Sequence, residues 1–133
     1  MKYILMMMTA FGVLISQATA DEVTDAVKSY RLANEKNIIT EYMTLLEMPN
    51  VPSVPSDMEK NAAHISAMME RRGIDTMLLE YPDVPPVIYG EYNTLGATKT
   101  LMFYAHYDGQ PVNADLWSSS PFEPVFRTDF PYR

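Results

Sequence analysis

His106 and Asp108 stand two residues apart in the run His106-Tyr107-Asp108-Gly109-Gln110-Pro111-Val112. Side chains at i and i+2 of an extended chain point the same way. The pair is therefore spaced for joint work, the imidazole as a metal ligand and the carboxylate as the group that fixes its tautomer and orientation. Gly109 lets the chain turn away sharply and Pro111 stiffens the loop beyond it. Spacing alone is a weak signal, and a solvated strand end carries the same letters. His64 lies just off the apolar stripe of a helix and reads as a surface residue. Glu35, Glu41 and Glu47 sit six apart, which is not a one-face helical spacing, and read as solvated surface. Tyr89, Tyr92, Tyr104, Tyr107 and Trp117 read as packing residues.

The position of His106 is set by the residues before it. Leu101-Met102-Phe103-Tyr104-Ala105 is an unbroken apolar run, which predicts a strand over Lys99–Ala105 buried on both faces. In open α/β sheets ligands gather at the carboxyl ends of such strands. Upstream, Ile38, Ile39, Tyr42, Leu45 and Leu46 give one apolar face to a helix over 21–48, which Pro49 ends. Ser56-Asp57-Met58-Glu59 reads as a capping box with Ser56 as N-cap. The second helix it opens carries Met58, Ala62, Ile65 and Met69 on one face, has Arg71 and Arg72 in its last turn, and stops at Gly73. Strands are predicted over Ile74–Tyr81 and Val87–Tyr92, separated by a Pro-Asp-Val-Pro-Pro loop, with a bulge at Gly90. A short turn at Asn93–Gly96 makes the second and third strands antiparallel neighbours. The fold class is α/β, two helices followed by a mixed sheet, without a layer to cover the second face of that sheet.

Lys2, the apolar stretch Ile4–Ile15 and the small residues Ala18 and Ala20 have the order of a secretory signal peptide. The apolar stretch falls short of the roughly 20 residues that span a bilayer. The reading is a leader over 1–20 and a mature domain over 21–133, exported to periplasm or extracellular space with no stable membrane anchor. Loss of the leader and Lys2 takes the formal charge from −7 to −8. So acidic a chain is unsuited to nucleic acid, whose affinity rests on phosphate contacts. It has no cysteine, which excludes disulfides and thiolate chemistry and leaves any metal site to His, Asp and Glu.

With these residues in view, Thr100–Val112 resembles the first metal motif of the co-catalytic zinc peptidases, which include carnosinase-like and Cys-Gly dipeptidases, glutamate carboxypeptidases and acetylornithine deacetylase. Two flanking segments resemble the same family. Leu45-Leu46-Glu47-Met48-Pro49-Asn50-Val51-Pro52 looks like its helix-to-loop entry, and Asp115–Pro124 like the tryptophan and Pro-Phe segment after the His-x-Asp motif. The resemblance implies an amino-terminal, incomplete part of a peptidase catalytic domain. Within it His106 would ligate one of two zinc ions and Asp108 would orient the imidazole. It further implies hydrolysis of a peptide amide by a metal-activated water, a small peptide or N-acyl amino acid as substrate, and homodimeric full-length relatives. The family's bridging Asp, Glu-Glu pair and distal His have no counterpart here, so this polypeptide is expected to be inactive by itself. The alternatives are a deacylase of N-acyl amino acids and a small exported binding domain without catalysis.

Overall fold

The computed structural model describes residues 20–127, so the leader expected over 1–20 lies, apart from Ala20, outside the described residues. The chain forms two compact units, Met1–Glu35 and Lys36–Arg133. In the first, the described residues are the opening turns of helix α1 (Ala20–Leu46). Asp21 and Glu22 occupy its positive end, and Arg31 pairs with Glu35 one turn on at 2.8 Å. No residue of α1 is buried. None of the described helices is long and apolar enough to cross a membrane.

The second unit holds the rest of α1, then helix α2 (Pro55–Glu70) and an antiparallel hairpin of β1 (Asp75–Tyr81) and β2 (Val84–Glu91). Helix α2 opens differently from the expected capping box. Its N-cap is Val54, no side chain caps it, and Ser56 lies inside the first turn. Pro55 accounts for the shift: its φ is already helical and it has no N–H to leave orphaned, so the helix begins at the proline. The far end keeps closer to the sequence. Gly73 adopts φ +74°, and the Ile74 amide donates back to the Met69 carbonyl at 3.2 Å, closing the helix end. Arg71 and Arg72 fall just beyond the last turn instead of within it.

The core is small. Met58 and Ala62 on α2 are 1% exposed, and Asn61 between them is buried as well. Asn61 is satisfied by donating to the Pro49 carbonyl at 2.7 Å and the Asp57 carbonyl at 2.9 Å. One face of the hairpin lies on α2, where the Ser66 hydroxyl donates to Thr76 at 3.0 Å and Thr76 in turn to Glu70 at 2.7 Å. Gly90 lies opposite Thr76 in unbroken register, so no bulge forms there. It is small for another reason: a Cβ would overlap Met69 Cε and stand 2.9 Å from Ile74 Cγ2. The irregularity falls instead between Leu79 and Tyr81, beside a tight turn at Pro82 and Asp83, the latter at φ +61°. β2 starts at Val84, three residues earlier than expected. Its prolines are tolerated because, among the described residues, no strand pairs with its other edge.

The expected third strand is the main correction. Lys99–Ala105 joins no ladder among the described residues, and the sheet is a two-stranded antiparallel hairpin, not a mixed sheet. Leu101, Met102, Phe103 and Tyr104 are 81–91% exposed instead of buried on both faces. An apolar run becomes a central strand only when neighbours flank it and layers cover it. Neither is present among the described residues.

Glu41 also departs from its reading as plain solvated surface. Its carboxylate, half-buried on α1, accepts from Arg71 Nη2 at 2.7 Å, from Arg72 Nη1 at 3.2 Å and from Arg72 Nη2, joining α1 to the end of α2. These hydrogen bonds, Arg72's first and Arg71's next, pull the carboxyl from an ordinary 4.5 down to about 2. A depressed carboxyl stabilises the fold above its unfolded value and ceases to do so as pH falls through its folded one. Glu41→Gln should therefore lower the melting temperature by a constant amount near neutrality. The gap from wild type should narrow from about pH 4.5 downward and close near pH 2, as pH-resolved thermal unfolding would show.

Candidate metal centre

The loop carrying His106 is held by the segment that ends α1. Gly109 donates its amide to the Asn50 carbonyl at 2.8 Å, and the Asn50 side-chain amide donates to the Tyr107 carbonyl, also at 2.8 Å. Asn50 itself comes directly after Pro49, whose carbonyl is gripped by buried Asn61. Gly109 is required by crowding and not by backbone conformation. A Cβ there would lie 2.5 Å from Asn50 Oδ1 and 3.1 Å from its Cγ. The Tyr107 hydroxyl supplies a further tie, donating to the Pro86 carbonyl on β2 at 2.5 Å. Burial, and after it the neighbouring Asp108 charge, raises the Tyr107 pKa above the ordinary 10, which keeps that hydroxyl a donor.

Within this frame His106 Nδ1 lies 3.2 Å from Asp108 Oδ1 and 3.0 Å from the Asp108 carbonyl oxygen. Both partners are acceptors, so Nδ1 of the neutral ring carries the proton and Nε2 keeps the lone pair. That is the arrangement in which an imidazole is ready to bind a metal through Nε2, oriented by a carboxylate behind it. Both side chains are open to solvent, His106 at 74% and Asp108 at 44%. Among the described residues no group of three or more His, Asp or Glu side chains is placed to hold an ion. The described residues thus offer one oriented imidazole, not a closed site.

His106 stands on the wall of a cavity of about 690 Å³. The three segments singled out in the sequence meet around it: Leu45, Met48 and Asn50 from the first, His106 and Val112 from the second, Trp117 and Phe122 from the third. Trp117 is half exposed on this wall, just after the 3-10 turn Ala114–Leu116. Phe122 sits at φ +59°, a left-handed conformation uncommon for a large residue. His64 takes no part. It is half-buried, contrary to its surface reading, with Nε2 shielded from solvent and without a hydrogen-bond partner.

Sequence reasoning missed the Asn50, Asn61 and Tyr107 contacts. An asparagine in a Pro-x-x-Pro stretch, where no regular ladder can use its backbone, was the available signal for the first.

The similarity of this chain to known proteins supports one class, the metallopeptidases, and therefore a hydrolase at the level of class. Over 112 aligned residues it is 30% identical to a Cys-Gly metallodipeptidase of Schizosaccharomyces pombe, the alignment covering 71% of this chain and 23% of that relative. The chain thus spans about a quarter of the length of the relative it matches. No family profile and no solved structure matches the chain.

The Asn50–Gly109 contact can be tested by a double-mutant cycle in urea unfolding. Asn50→Ala should cost about 1 kcal/mol through the lost bond to Tyr107, and Gly109→Ala about 1–3 kcal/mol through overlap with Asn50. The double variant should cost less than their sum by about 0.5 kcal/mol or more, because removal of the Asn50 side chain makes room for the new methyl.

Proposed function

We propose that this chain is the amino-terminal portion of an exported zinc-dependent dipeptidase or carboxypeptidase, with residues 1–20 as its leader. Its substrate class is a small peptide, in keeping with the dipeptidase named in the match. His106 serves as a metal ligand through Nε2, and Asp108 as the positioning carboxylate behind Nδ1. The observation that carries the reading is the His106–Asp108 geometry on a cavity wall where three separately resembling segments converge.

The metal the reading implies is zinc, two ions in the complete site. A catalytic zinc takes three protein ligands and keeps a fourth position for water or substrate. The described residues do not fit that requirement, since one histidine is the whole of the oriented donor set. No hydrolytic step is therefore assigned to them. What they do supply is an imidazole with its tautomer and direction set in advance, which lowers the ordering cost when further ligands arrive. A deacylase of N-acyl amino acids would use the same site and differ only in the group cleaved.

Zinc titration followed by calorimetry tests this reading, with hydrolysis of the Cys-Gly dipeptide measured in parallel. The chain should bind zinc weakly, lose that binding in His106→Ala, and turn over no dipeptide. Tight stoichiometric zinc binding that survives His106→Ala would overturn it.

A further inference from the structure

His106 and Asp108 flank a single residue, Tyr107, so the φ and ψ of that residue set how the two side chains face each other. Tyr107 is held at two ends. Its carbonyl accepts from the Asn50 side-chain amide at 2.8 Å, and its hydroxyl donates to the Pro86 carbonyl on β2 at 2.5 Å. One bond at the backbone leaves the residue able to turn about that point. A second bond at the far end of the side chain, to a different element, opposes the turn. We infer that Tyr107 is a positioning residue for the His106–Asp108 pair, its hydroxyl on Pro86 holding the backbone in the conformation that brings His106 Nδ1 to Asp108.

The hairpin is shaped to take this bond. β2 pairs with β1 in regular register as far as Val87, opposite Leu79, and the pairing resumes with Val84 opposite Tyr81. Pro86 falls within the irregular stretch between them and has no register partner on β1. A proline there gives up no N–H, and its carbonyl is open to a donor from outside the ladder. The two consecutive prolines, expected in a loop, thus meet a residue of the His106 segment. Phenylalanine at position 107 would fill the same space without holding the carbonyl. The inference deepens the proposed function and rests on it only for what the pair does, because the orientation belongs to the metal-free chain.

Long-range proton–nitrogen NMR of the His106 ring, on the full chain without metal and above the histidine titration range, provides the test. Tyr107→Phe should lower the ratio of the Nδ1–H to the Nε2–H tautomer about two- to tenfold, the range that one lost hydrogen bond supplies. Tyr89→Phe removes another hydroxyl of the same hairpin, one that serves Glu91, and should leave the ratio unchanged. Protection of the Gly109 amide, which donates to Asn50, reports whether each variant keeps the loop in place. In the wild type the Tyr107 hydroxyl proton should exchange slowly enough to be seen at low temperature, a readout that stands even where Tyr107→Phe does not fold. An unchanged tautomer ratio in a folded Tyr107→Phe variant, an equal fall in Tyr89→Phe, or a rapidly exchanging Tyr107 hydroxyl would overturn the inference. Zinc has no part in the readout, so a failure of the metal role assigned to His106 is distinguishable from a failure here.

Discussion

Asn50 and the 107–109 loop hold each other, and the placement of every chemically interesting residue depends on that grip. Two hydrogen bonds of 2.8 Å join segments more than fifty positions apart in the chain. Each contributes only about 0.5–1.5 kcal/mol net, but their effect is geometric. Asn61, buried on α2, fixes the Pro49 carbonyl; Asn50 extends that anchor to Tyr107 and Gly109; His106 is therefore presented from a loop tied to the buried residues of α2. The close approach leaves no space for a side chain at position 109, which explains the glycine without any appeal to backbone freedom.

The chemistry this frame supports is partial. Asp108 presents two acceptors to Nδ1 and leaves Nε2 of His106 with its lone pair, while the side chain remains largely in solvent. An exposed imidazole alone would hold a metal weakly, since water has free access to it and, among the described residues, no second donor stands beside it. The similarity to a metallodipeptidase reaches 23% of that protein. The remaining ligands in the proposed enzyme would have to come from sequence with no counterpart in the aligned part.

Much of this organisation could be read from the residues. Helical periodicity placed α1 and α2 within two residues at each end, and Gly73 closes α2 as glycine's access to positive φ suggests. The His106–Asp108 relation came from their two-residue spacing. The failures share a physical origin. Ser56-x-x-Glu59 has the letters of a capping box, but Pro55 starts the helix first, because a preset φ outweighs a side-chain hydrogen bond. The run at 101–105 has the composition of a buried strand, yet burial is a property of what surrounds a segment, and composition alone cannot supply neighbours. Glu41 looked like solvated surface because its partners, Arg71 and Arg72, lie thirty residues away. Polar contacts between distant loops, such as Asn50 with Tyr107, leave no periodic trace in a sequence.

The fold delivers His106 with Nδ1 engaged by Asp108, and the proposed function needs Nε2 free for a metal. Long-range proton–nitrogen NMR of the imidazole, recorded above the histidine's titration range with and without zinc, reads this directly. The free chain should show the Nδ1–H tautomer, with zinc-induced shifts confined to Nε2. A ring protonated on Nε2, or zinc shifts that fall on Nδ1, would contradict it.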